Sequence, residues 1–218
     1  MRAYRTFHRD RAGLDNLRMS DLTDLQFISG QLERGEIDSA QYVEKLVRFV
    51  AARIGCSRAG LRVFIDDADT RVLRCIAMYD ARVDSLVGAA DIAHVEGGRY
   101  LDQLQRDGYV MSSDGRQDPV INDSQRAYLK ENGVVALMDM SFSVNGALFG
   151  TFACEHAGAP VYWTQRQLQS LRKIASRASL TLMQVVNASV DTTPGALWES
   201  STPNRLATIP MPLNPLPE

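Results

Sequence analysis

The stretch VVALMDMSFSVNGALFGTFACEHAG holds two apolar-rich strands that meet at Asn145-Gly146. That dipeptide suits a tight type I′ turn, so the two runs read as one long hairpin. A hairpin of this length commits the chain to an antiparallel sheet, and the rest of the sequence must supply what covers it.

The flanking pieces supply helices. Asp38 or Ser39 caps a helix whose Val43, Leu46, Val47, Val50, Ala51 and Ile54 form one apolar face, with Gly55 at its stop. Glu44 and Arg48 stand four apart on its outside. Upstream, Leu22, Leu25, Ile28 and Leu32 recur at helical spacing up to Gly35. That stripe either covers the chain's own sheet or packs on a partner helix. After the hairpin, Thr164 and Gln167 fit a capping box. Leu168, Leu171, Ile174, Ala175, Ala178, Leu182 and Val185 then continue a helix to about residue 190.

Between the helices, Leu61–Ile65 and Arg71–Tyr79 read as strands around a turn containing Asp66, Asp67 and Asp69. With no bend glycine or spaced glutamate, this is a solvated turn and not a calcium loop. Residues 80–95 read as loop, with room for a short helix. A short helix Arg99–Asp107, a strand Tyr109–Ser113, a polar loop Asp114–Asn122 and a helix Ser124–Glu131 ending at Gly133 lead into the hairpin. The expected divisions are a basic, flexible leader at 1–12, an N-terminal helix at 13–35 and a domain at 36–190. A Pro-rich tail, disordered or extended, is expected at 191–218.

Composition narrows the function. The chain has 218 residues, 45% of them apolar, and a formal charge of -2 with both signs interspersed. That is enough length for one core, and there is no broad basic face of the kind nucleic acids require. No apolar run reaches membrane-span length, and the N-terminus lacks a signal-peptide pattern, so a cytoplasmic protein is expected. Cys56, Cys75 and Cys154 are too widely spaced for a zinc site and read as reduced thiols.

The order of these pieces resembles the GAF domain, in particular its bacterial signal-transduction sensor subfamily. The resemblance spans about residues 38–186. It is carried by Ser113-Asp114 and Asp118-Pro119 after the third strand, by Tyr128-Leu129 and Gly133, by Met138-Asp139, and by Glu155-His156-Ala157-Gly158 followed by Trp163-Thr164. It implies an α+β fold in which an antiparallel sheet has the terminal helices packed on one face and a ligand pocket on the other. It also implies a module that binds a small molecule and relays the signal through its terminal helices, as a homodimer, to a signalling partner or output domain. The chain departs from the family's pattern at Ser141 and before Tyr100, where relatives carry prolines, so no particular ligand or cofactor is carried over.

The expected ligand-contacting set is Met111, Asp114, Asp118, Tyr128, Met138, Asp139, Glu155 and His156. Each has a structural alternative. Asp114 and Asp118 fit Asx turns, and Asp139 fits a carboxylate accepting loop N–H bonds. Glu155 and His156 are neighbours on a strand and so point to opposite faces, which rules them out as an acid–base pair. His156 suits a bond to a backbone carbonyl or to Asp139, and Trp163 suits an anchor at the helix start. Met111, Met138, Met140 and Phe142 are bulky enough to plug the pocket, which would leave a dimerisation module that binds nothing. A pocket of appreciable volume would favour the sensor, and a solid core the dimerisation module. A third alternative, a methionine sulfoxide reductase-like thiol enzyme, needs two cysteines within disulfide reach. No Ser-His-Asp set, P-loop or metal triad is present, and no catalysis is expected.

Overall fold

A computed structural model describes residues 20–188 except 68–69, 94–97 and 145. The expected leader, the Pro-rich tail, the first part of the N-terminal helix, Asp69 and the Asn145 position of the hairpin turn lie outside the described residues. The chain runs α1 (Ser20–Glu33), α2 (Ser39–Ile54), β1 (Arg58–Asp67), β2 (Thr70–Asp80), β3 (Ser85–Val87), β4 (Ile92–Ala93), α3 (Arg99–Asp107), β5 (Tyr109–Ser112), α4 (Asp123–Glu131), β6 (Val134–Val144), β7 (Ala147–Ala157) and α5 (Gln165–Ala188).

The strands form one antiparallel sheet in the order β3-β2-β1-β7-β6-β5, with β4 also paired to β2. The long hairpin is the centre of this sheet, and Gly146 takes the positive φ of 79° that its turn requires. Residues 80–95 differ from the loop expected. Two of their short segments, β3 and β4, add to the outer edge of β2. The pairing comes from β2, whose edge N–H and C=O groups need partners, and not from any strand signal in the segments themselves.

Strand alternation divides the side chains into two cores. On one face Ala136, Met138, Met140, Phe142, Phe152 and Cys154 meet the apolar faces of α1, α2 and α5. Leu25 of α1 is fully buried there, so this helix covers its own subunit. Its partner helices are α2 and α5, and the Thr181 hydroxyl donates to Ser29 Oγ at 3.0 Å. On the opposite face Leu73, Val110 and Leu137 meet Tyr100, Leu101 and Leu104 of α3 and Leu129 of α4.

The helix ends follow the sequence. Asp38 and Gln41 form a reciprocal capping box, Gly55 closes α2 with φ 76°, and Asn122 with Gln125 caps α4 the same way. Gln167 N–H donates to Thr164 Oγ1 at 3.2 Å, and Thr164 N–H donates to Gln167 Oε1 at 2.9 Å. Trp163 is buried, and its indole N–H donates to the Ser112 carbonyl at 3.2 Å, fixing the start of α5 against β5. Glu44 and Arg48 pair at 2.9 Å.

Candidate functional site: a small chamber under α3 and α4

The sheet face beneath α3 and α4 carries charges where a core would ordinarily be apolar. Arg58 and Arg62 lie two pleats apart on β1, and each is only 1% exposed. Glu155 of β7, 2% exposed, sits opposite Arg58 in the register. Asp139 of β6 is 3% exposed. Burial of four formal charges requires mutual compensation, because an isolated charge in a low-dielectric interior is strongly unfavourable.

Glu155 is the hub. Its carboxylate accepts from Arg62 Nη2 at 3.2 Å and from the Tyr128 hydroxyl at 2.9 and 3.1 Å. Arg58 Nη1 is 3.3 Å from its other oxygen, and Arg58 Nε is 3.7 Å from Asp80. These Arg58 contacts are ion pairs by distance only, since none of its N–H groups is aligned for a hydrogen bond. Both guanidinium groups also lie over the Tyr128 ring, at 5.7 and 5.6 Å from its centre. Asp80 continues the charge ladder outward to Arg82, whose hydrogen bond holds the Asp80 carboxyl below its ordinary range.

The second centre is Asp139, whose Oδ2 accepts from the Tyr100 hydroxyl. Burial raises the Asp139 carboxyl to about 6, against the opposing pull of Arg62 and the Tyr100 bond. Burial likewise raises both tyrosines. For Arg62, burial disfavours the cation, but Glu155, Tyr128 and Asp139 outweigh it and keep the group charged.

Between these centres lies a cavity of about 20 Å³ lined by Arg62, Tyr100, Gln125, Tyr128, Asp139 and Glu155, with Ile92, Leu129 and Leu137. That volume suits about one water molecule. Asp139 Oδ1 and Arg62 Nε, both buried, have no hydrogen-bond partner. The two residues that carry these unpaired atoms both line the cavity. Tyr100 from α3 and Tyr128 from α4 border it, each hydroxyl latched to a strand carboxylate.

Of the expected ligand-contacting residues, the structure brings Tyr128, Asp139 and Glu155 together around this cavity. The others lie elsewhere. Asp114 is paired with Arg116 at 2.5 Å, and Asp118 accepts the Val120 N–H at 3.0 Å in an Asx turn. Met138 is fully buried in the helical core, and Met111 packs against that core from the same side. Met140 and Phe142 belong to it too, so none of these four plugs the chamber. Their register on β5 and β6 points them the other way from Asp139. His156 also faces away from the chamber. Its Nδ1 lies 3.5 Å from Ser57 Oγ, in place of the expected bond to a carbonyl or to Asp139, and Ser57 Oγ itself accepts the Ala157 N–H. Desolvation lowers the His156 imidazole.

Arg58, Arg62, Tyr100 and Gln125 were not foreseen. The expected strand began at Leu61 and so left out Arg58, while Arg62 alternates with Leu61 and Val63, a position that reads as a solvent face until the second layer of helices is known. Among the described residues no group of three or more His, Cys, Asp or Glu side chains is placed to hold a metal ion.

All three cysteines are free thiols. Cys56 and Cys154 are both buried in the core beneath the helices. Burial raises Cys154 well above the ordinary thiol value and also raises Cys75, the opposite of what a reactive thiolate needs.

The family model for the GAF domain matches residues 38–182, which hold α2, α3, α4, the whole sheet and most of α5. The chain belongs to the GAF domain family. Solved GAF structures share its fold. A phycoerythrobilin-bound GAF domain from a cyanobacterial phytochrome is 16% identical, with TM-score 0.60, covering 77% of this chain and 97% of that one. The blue-light absorbing form of the Thermosynechococcus elongatus PixJ GAF domain is 19% identical, with TM-score 0.56, covering 80% and 97%. The Stigmatella aurantiaca phytochrome photosensory core module is 18% identical, with TM-score 0.57, and 39% of its chain is covered. At these identities the likeness is one of fold. No curated protein matches the chain. No described helix of this GAF domain is long and apolar enough to cross a membrane.

Proposed function

We propose that this GAF domain is a non-catalytic sensory module that binds a small molecule in the chamber under α3 and α4. Arg62, Tyr100, Gln125, Tyr128, Asp139 and Glu155 form its contacts. The observation that carries this reading is the pair of unpaired buried atoms, Asp139 Oδ1 and Arg62 Nε, on two residues that line one cavity. Such atoms are unfavourable in a finished core and are satisfied by a guest. The solved GAF domains that hold bilins lend the reading support from fold.

In the latched state only about one water fits, so a ligand enters by parting the Tyr128 hydroxyl from Glu155. That moves α4 against the sheet. The signal then reaches α1 and α5 through β6 and β7, whose opposite face packs on those helices, and passes to a signalling partner or output domain. The shift in helix arrangement is limited to the ligand's differential affinity for the latched and open states.

One observation favours a second reading. A cavity of about 20 Å³ is also what a dimerisation module without a ligand would retain. Native mass spectrometry of protein purified from its own host separates the two. The sensor predicts a small-molecule mass that is lost on denaturation and is missing from an Asp139→Leu variant. A mass retained on denaturation would indicate a covalent adduct, and apo protein from every preparation would favour the dimerisation module.

A further inference from the structure

We infer that the guest of the chamber is a zwitterion of the α-amino acid class, its ammonium on Asp139, its carboxylate on Arg62 and Thr151, with Met78 as the side chain that gives way to it. The inference rests on the ligand-binding reading above and names the chemistry of that ligand.

Residues opposite one another in a sheet register share a face. One row across the chamber floor therefore runs from Asp139 through Ala153 and Gly60 to Met78. The row beside it holds Ser141, Thr151 and Arg62. Between Asp139 and Arg62 the middle row thus presents only a methyl group and a bare Cα. Asp139 Oδ1, Thr151 Oγ1 and Arg62 Nε all lack a hydrogen-bond partner, and so does every guanidinium nitrogen of Arg58. Each of these four residues is at most 3% exposed. The Ser141 hydroxyl in the same row is already engaged, donating to the Gly108 carbonyl at 2.9 Å.

The unmet groups define the guest. Two buried cations, Arg58 and Arg62, share this face with two buried anions, Asp139 and Glu155, while Asp80 is held by Arg82 at 2.5 Å. A guest with net charge would leave one charge uncompensated away from water. The guest is therefore neutral overall, yet it must offer an acceptor to guanidinium donors and a donor to a carboxylate oxygen. Hydrogen bonds between ionised groups are about twice as strong as neutral ones, so a carboxylate and an ammonium suit these poles best. The remaining walls, Ile92, Leu129 and Leu137, fit an apolar side chain.

Room for it is stored under Met78. That residue is fully buried but belongs to neither apolar core. A Cβ on Gly60 would stand 2.6 Å from Met78 Cε and 3.0 Å from its sulfur, so the thioether lies directly on Gly60. An unbranched side chain with three rotatable bonds repacks readily. By swinging off Gly60 it bares the floor between Asp139 and Arg62.

Calorimetric titration of the dialysed full chain tests this. The probes are glycine, alanine, valine and leucine, the alkylamine and the alkanoate left when either pole of each is deleted, and 2-pyrrolidinone as a neutral lactam. At least one amino acid should bind, and deleting either pole should weaken it about tenfold or more. Asp139→Asn should weaken that amino acid about tenfold and leave its alkanoate unchanged. Thr151→Val should weaken both about fivefold with no loss of melting temperature, because the hydroxyl it removes is unpaired in the empty protein. Met78→Ala, or Met78→Val if the first fails to fold, should shift the preference toward the larger side chains, and an unchanged order overturns the role of Met78. An alkylamine, an alkanoate or the lactam binding as tightly as the amino acid overturns the zwitterion. So does failure of every amino acid to bind. The native mass spectra then separate the two claims: a guest of other chemistry leaves the sensory reading standing, and apo protein from every preparation removes both.

Discussion

Asp139→Asn isolates the electrostatic character of the chamber. The substitution keeps an oxygen to accept the Tyr100 hydroxyl and removes only the ability to ionise. In the folded protein burial holds the Asp139 carboxyl at about 6 against an ordinary 3.8. Between those two values the native state keeps a proton that the unfolded chain has lost. Stability from this group is therefore fully present below about 3.8 and is lost as pH rises through about 6. At about 1.4 kcal/mol per pH unit the loss is about 3 kcal/mol. Other carboxyls, such as Asp80, shift the opposite way and tilt the overall profile. They are common to both proteins, so the difference between wild type and variant contains Asp139 alone. Urea unfolding of both at closely spaced pH values should show the variant gaining on wild type by about 3 kcal/mol from acid to neutral pH, with the rise centred between the two pKa values. A difference that stays flat with pH would refute the claim that this buried carboxylate is desolvated.

The hub and the sheet yield further expectations. Glu155→Gln leaves two buried guanidinium groups undercompensated and should destabilise the fold by about 3–5 kcal/mol in chemical denaturation, far more than the surface change Glu44→Gln. Gly150→Ala places a Cβ 2.2 Å from the Arg62 carbonyl oxygen and 3.1 Å from the Phe142 ring, so the β1–β7 pair must part there. A loss of about 1–3 kcal/mol is expected, read as a lower Tm. Cys56 and Cys154 should resist alkylation in the native state at neutral pH and react only at the rate of unfolding, in a mass-resolved labelling time course. Rapid native labelling of Cys154 would contradict its burial.

The fold was legible where local chemistry and tertiary structure agree. Asn145-Gly146 between two apolar strands, the Asp38 and Thr164 caps and the α2 stripe each point to one local structure, and the sheet with its terminal helices follows from them. Strands β3 and β4 were not legible because their pairing is supplied by the free edge of β2, and three exposed or half-buried residues carry no pattern of their own. At the site, family resemblance singled out Tyr128, Asp139 and Glu155, which the structure places around one cavity. Arg58 escaped because the expected strand began only at Leu61, and Arg62 because alternation assigns a side chain to a face without telling whether water or a second helical layer covers it. The methionines misled for the same reason in reverse: Met138 and Asp139 are adjacent in sequence but lie on opposite sides of the sheet, in different cores.

The central claim is that the chamber opens for a guest, and electron density from crystals of protein purified from its own host tests it most directly. The account predicts density larger than one water between Asp139 Oδ1 and Arg62 Nε, with the Tyr128 hydroxyl drawn away from Glu155. A single water in that space, with Tyr128 still latched and every such preparation giving the same picture, would contradict it.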